Sequence, residues 1–170
     1  MLDHDDVAYI VYFYALTYYD YDTAITMIND GIINLNKTYG KYNDTILMIT
    51  CSYRNTERVT MALLDNGNIH IDHISSDMNT ALIFAIQTQS EDVCMRMISI
   101  GNTRPDIVSS KDMTALMYAC KSRKLKVAHA LLDTGNAIPF YTSKYGDSAM
   151  SIARSKDLYS IVAALELYIE

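Results

Sequence analysis

Residues 111–136 read KDMTALMYACKSRKLKVAHALLDTGN. Thr114 stands just ahead of an apolar run, where a hydroxyl can accept backbone N–H bonds and start a helix. Leu116, Ala119 and Cys120 then recur at helical spacing. Lys121-Ser122-Arg123-Lys124 makes a polar break, and Val127, Ala130, Leu131 and Leu132 restore the helical pattern. Gly135 stands where a left-handed residue would stop the second helix. Each predicted helix has about ten residues, too few to persist alone in water. The pair needs neighbours to cover its apolar sides.

The neighbours recur along the chain. Thr80-Ala81-Leu82-Ile83-Phe84-Ala85 precedes Thr114-Ala115-Leu116-Met117-Tyr118-Ala119 by 34 residues, and Thr45-Ile46-Leu47-Met48-Ile49-Thr50 lies 35 further back. Ser148-Ala149-Met150-Ser151-Ile152-Ala153 lies 34 ahead. Gly31, Gly67, Gly101 and Gly135 keep step. One helix pair per period of this length is the signature of a solenoid.

The run Thr114 to Ala119 resembles the ankyrin signature T-P-L-H-x-A, and Leu131-Leu132-x-x-Gly135 resembles the end of that family's second helix. The likeness departs from the family in three ways. Its Pro is replaced by Ile46, Ala81, Ala115 and Ala149; its His by Phe13, Met48, Ile83, Met117 and Ser151. A glycine two residues before the Thr survives as Gly146, with Asn43, Met78 and Asp112 in the other units. The resemblance implies an all-α ankyrin-repeat solenoid of about five helix-turn-helix units, with atypical capping units at both ends. It also implies a concave surface of loop tips and first helices that holds proteins, usually without catalysis.

One domain of units at about 1–36, 37–72, 73–106, 107–140 and 141–170 fills the chain without a linker. Tyr9, Tyr12, Tyr14, Tyr18, Tyr19 and Tyr21 crowd the first unit, as suits a cap that packs its rings and exposes its hydroxyls. The fifth unit is the C-terminal cap, with Ile161, Val162 and Leu165 inward and Glu166 and Glu170 outward. Pro105 and Pro139 mark extended entries to the following loops.

The net charge of −6 argues against a general affinity for nucleic acid. Residues 7–16 are apolar but short of the roughly 20 residues a membrane span needs. Asp3, Asp5 and Asp6 stand where a signal peptide would be basic. Cys51, Cys94 and Cys120 form no paired motif and read as buried thiols, which suits a reducing compartment. The expectation is an intracellular, cytoplasmic protein. Heavy use of Tyr, Ile, Asn, Asp and Lys accompanies A/T-rich coding DNA, as in some large DNA viruses, where the compartment would be the host cytoplasm.

No catalytic motif appears, so no enzyme activity, cofactor or metal is expected. His70 and His73 lack a third metal ligand and fall in a loop between units. Glu91-Asp92 opens a predicted helix, whose dipole it complements. Lys121, Arg123, Lys124 and Lys126 read either as a solvated turn or as a contact for an acidic partner, with Lys144 and Lys156 on the same side of the stack. Most of the ten methionines read as core filler, but Met78 and Met113 fall at loop tips, where Met113 could be a contact.

The functional expectation is a non-catalytic protein–protein interaction module, an adaptor or host-targeting factor, monomeric, with no nucleic-acid or membrane partner. Its rival is a structural subunit of a virion or other assembly that works by self-association. The last predicted helix runs to about the end of the chain, so any recruiting surface is expected on the repeats themselves. Aligning the units on Ile10, Thr45, Thr80, Thr114 and Ser148 puts Tyr18, Tyr53, Thr88, Ser122 and Lys156 at one position, which in ankyrin proteins tends to face the groove. The tips hold Lys41 with Tyr42, Asp77, Lys111, and Lys144 with Tyr145. The expected partner contacts are therefore Tyr18, Tyr42, Tyr53, Met113 and Tyr145, with Lys121, Lys144 and Lys156 steering an acidic side. The competing possibility is that Tyr18 and Tyr53 only stack on each other.

Overall fold

The structure is a computed structural model that describes residues 4–168. Asp3 and Glu170, which entered the sequence reading, lie outside the described residues. Ten helices form five consecutive pairs among those residues: α1 (His4–Thr17) with α2 (Tyr21–Asn29), α3 (Ile46–Ser52) with α4 (Glu57–Asn66), α5 (Ala81–Thr88) with α6 (Glu91–Ile100), α7 (Ala115–Lys121) with α8 (Leu125–Asp133), and α9 (Ala149–Ser155) with α10 (Tyr159–Glu166). First helices α3, α5, α7 and α9 pack in one row, and α2, α4, α6, α8 and α10 in a second.

The hydroxyls singled out in the sequence start the first helices. Thr45, Thr80, Thr114 and Ser148 have extended backbones and accept from the N–H groups of Met48 (3.4 Å), Ile83 (3.3 Å), Met117 (3.2 Å) and Ser151 (3.1 Å). These helices have seven or eight residues, below the length that holds on its own. Tertiary burial supplies what length does not. Ile46 to Cys51 are all buried in α3, as are Ala115 to Cys120 in α7. Leu63, Met97 and Leu131 are fully buried at one position of the second helices. Ile98, the counterpart of Leu64 and Leu132, stays half-buried. Gly67 (φ 78°) and Gly135 (φ 70°) follow α4 and α8 in the left-handed region expected of a helix stop.

Between helix pairs the chain makes narrow hairpins that the sequence reading passed over. Thr38–Tyr39 (β1) pairs antiparallel with Asp44–Thr45 (β2), and single bridges join Ile74 to Thr80, Val108 to Thr114 and Thr142 to Ser148. Each tip turns on a left-handed residue two positions before the capping hydroxyl: Asn43 (φ 55°), Met78 (φ 53°), Asp112 (φ 61°) and Gly146 (φ 84°). Loss of the glycine therefore leaves the turn in place, and the side chains at the first three positions carry the strain.

The tips also hold one another. Ser76 N donates to Tyr42 O (2.7 Å), Ser110 N to Asp77 O (3.4 Å), and Lys144 N to the Asp112 carboxylate (2.6 Å). Gln89 Nε2 reaches Tyr53 O (2.7 Å) and Thr56 Oγ1 (3.0 Å) in the preceding unit. On the outer row, Arg58 pairs with Asp22 (2.7 Å) and Arg96 with Asp65 (3.1 Å). Exposed pairs of this kind add little stability.

Three readings need correction. Lys124 is not part of a solvated basic turn: it is half-buried, and its ammonium donates to the carbonyls of Ala85 (3.1 Å) and Gln89 in the preceding unit, beside Cys94 Sγ (3.8 Å). Tyr12 does not expose its hydroxyl: it is fully buried and shares a 2.7 Å hydrogen bond with Thr50 Oγ1, which docks α1 on α3. Tyr18 and Tyr53 do not stack on each other. Tyr18 lies parallel to Tyr14 (5.9 Å between centroids), and Tyr53 meets Phe13 edge-on (6.0 Å).

Candidate interaction surface

The hairpin tips and first helices share one face, and two clefts open there. The larger, about 430 Å³, is lined by Tyr42, Asp44, Asp77, Phe84, Lys111 and Tyr118 among others, so it runs from the tip before α3 to α7. The smaller, about 230 Å³, is lined by Gln87, Lys111, Met113, Tyr118, Lys121 and Ser122. Gln87, Lys111 and Tyr118 border both. These side chains meet because the residues after each left-handed turn lead straight into a capped helix. Tyr118 is held by a 3.2 Å hydrogen bond between its hydroxyl and Ser109 Oγ.

The expected contact residues divide. Tyr42 lines the larger cleft, with the Lys41 ammonium 4.5 Å from its ring centroid. Met113 and Lys121 line the smaller one, and Met113 is half-buried against the core rather than fully exposed at its tip. Lys144 and Tyr145 form an exposed tip with the ammonium 5.1 Å from the ring. Tyr53 is partly buried, its carbonyl occupied by Gln89. Tyr18 and Lys156 border neither cleft; Tyr18 is 71% exposed just beyond α1, and Lys156 ends α9.

Asp44, Phe84, Gln87 and Tyr118 were missed as site residues. Asp44 directly precedes a capping threonine, and Phe84, Gln87 and Tyr118 sit on first helices; only the packing of adjacent units shows which sides open to the cleft. Asp44 and Asp77 put negative charge in the middle of a surface expected to run from aromatic to basic. Burial pushes the Asp44 carboxyl above its ordinary value; Asp77 adds to this and His73 opposes it. Asp112 is held below the usual carboxylate range by the Tyr141 hydroxyl and then by the Lys144 N–H.

Residues 111–144 match the family model of the ankyrin repeat. That unit is an ankyrin repeat, and the stack around it is an ankyrin-repeat fold. No curated protein matches the chain as a relative. Ankyrin repeats generally serve as protein–protein interaction modules, and the family is typically non-catalytic. Among the described residues of this ankyrin stack, no three His, Cys, Asp or Glu side chains are grouped to hold a metal ion. The His73 side chain donates from Nε2 to Asn43 O (2.7 Å), and the His70 backbone N–H donates to Asn36 Oδ1 (2.8 Å). The three thiols are buried; burial pushes Cys94 up to about 11, against the pull of the Lys124 ammonium, and Cys120 up to about 12. Among the described residues no helix is long and apolar enough to cross a membrane.

Proposed function

We propose that residues 1–170 form one domain of five ankyrin units that binds a partner protein, without catalysis, on the concave face of its tips and first helices. The carrying observation is the pair of adjoining clefts, which set Tyr42, Phe84 and Tyr118 beside Asp44, Asp77 and Lys111. Rings bury much area at low entropy cost, and the flanking charges select orientation. Tyr42, Met113, Lys121, Lys144 and Tyr145 remain as contacts on this face. Tyr53 supports it from beneath, and Lys156 flanks it. Tyr18 belongs to the end of the stack. The clefts support this reading over a purely structural subunit, because they present shaped, chemically mixed pockets on the groove face. The role we infer for such a surface is that of an adaptor holding a partner protein.

Affinity capture with the immobilised chain from native cells, read by mass spectrometry, tests the proposal. A Tyr42→Ala, Tyr145→Ala variant changes two exposed tip residues and should melt like wild type. It should lose at least about 2 kcal/mol of affinity for the captured protein. Unchanged capture by this variant, with capture abolished by Arg96→Glu on the outer row, would move the site to the opposite face.

A further inference from the structure

Helix α1 has three sides with different fates. Ala8, Tyr12, Ala15 and Leu16 are buried toward the stack. Tyr9 lies on Tyr39 (4.2 Å between centroids), and Phe13 meets Tyr53. The third side carries Val7, Ile10, Val11, Tyr14 and, one residue past the helix, Tyr18; these are 39–71% exposed. Spacings of three and four residues put them in one stripe. Among the described residues no charged side chain interrupts the stripe between Val7 and Tyr18. A terminal repeat ordinarily turns a polar face outward; at the α9–α10 end, exposed Ser151, Arg154, Ser155 and Glu166, with Arg154 paired to Glu166 at 3.4 Å, interrupt the exposed Tyr159 and Leu167.

We propose that two copies of the chain associate head to head, the α1 stripe of one antiparallel to that of the other about a two-fold axis. Val7, Val11, Tyr14 and Tyr18 recur at the 4-3-4 spacing of a helix–helix seam. Antiparallel pairing sets Val11 opposite the second copy's Tyr14, and Val7 opposite its Tyr18, a small residue against a large one in each layer. Tyr14 and Tyr18 already lie parallel within 4° of each other. Among the described residues, a second copy covers the Val7-to-Tyr18 stripe without burying a charged side chain of it, whereas head-to-tail stacking would set Arg154 and Glu166 against it. From these exposed fractions the stripe offers at most roughly 500 Å² per chain, so a pair buries at most roughly 1,000 Å², near the lower limit for a specific interface. An interface of this size is expected to exchange with single chains rather than to be permanent. This pairing uses the end of the stack and is independent of the groove reading.

Sedimentation equilibrium of the full chain, from low to high micromolar concentration, tests the pairing. The mass should rise from 19.2 kDa toward twice that value. Val11→Asp, at an exposed site, should hold it at one chain with an unchanged circular dichroism melt. Val11→Cys should be joined to its counterpart by a short bis-maleimide, while Tyr159→Cys, at the far end, should not; the three native thiols are buried and silent. A single-chain mass at every concentration, association that survives Val11→Asp, or equal cross-linking at both ends would overturn the head-to-head pairing.

Discussion

Replacing Lys124 by Met keeps the length and most of the volume of the side chain and removes only its ammonium. In the folded chain that ammonium bridges two units through the carbonyls of Ala85 and Gln89. The Ala85 carbonyl retains the Gln89 N–H at 2.9 Å, so its loss is partial; the Gln89 carbonyl loses its charged donor. A hydrogen bond to a charged group contributes about 1.5–3 kcal/mol, and a buried acceptor left unmatched costs about 1–3. The half-buried lysine recovers some hydration when unfolded, which reduces the sum to about 2 kcal/mol. For a chain of this size that corresponds to a melting point lower by about 4–8 °C. Lys121→Met and Lys126→Met, whose side chains are exposed, should stay within about 0.5 kcal/mol of wild type. Urea titrations of the three variants, followed by circular dichroism, make the comparison. A Lys124→Met midpoint indistinguishable from that of Lys121→Met would refute the bridge and return Lys124 to the solvated turn.

Leu131→Ala removes a fully buried side chain from the outer row and should cost about 2–5 kcal/mol in the same titration. Met78→Gly should raise the midpoint, since left-handed strain of about 1–2 kcal/mol exceeds the roughly 0.5–1 kcal/mol that glycine adds to unfolded-chain entropy. Asp112→Gly has the same turn but loses the Tyr141 and Lys144 bonds, so it should lower the midpoint. Asp44 has a raised carboxyl, so its ionisation opposes folding: the penalty is absent below the unfolded value of about 4 and complete above the folded one. Asp44→Asn should therefore raise the melting point at pH 7 and leave it unchanged near pH 3, as melts across that range would show. The native thiols should react with a thiol reagent only as the chain unfolds, because burial raises all three.

The helices were legible because their signals are local. A capping hydroxyl, an apolar run and a stop glycine recur near every 34 residues, and each acts within one turn of its own position. Lys124 was not legible: in sequence it is one of four basic residues, and only its reach to the preceding unit separates it from Lys121. Tyr12 likewise reads as one of six tyrosines, although it alone bonds Thr50 at depth. The hairpins escaped because two-residue strands have no periodicity. Of the residues that line the clefts, Tyr42, Met113 and Lys121 were expected from tip and turn positions. Asp44, Phe84 and Tyr118 depend on how the rotation between units opens one side of each helix.

Hydrogen–deuterium exchange of the chain with and without its captured partner tests the groove most directly. The account predicts slower exchange at the tips around residues 40–44, 75–79 and 110–114 and at the ends of α3 and α5, with α4, α6 and α8 unchanged. Protection confined to α4, α6 and α8 would contradict it.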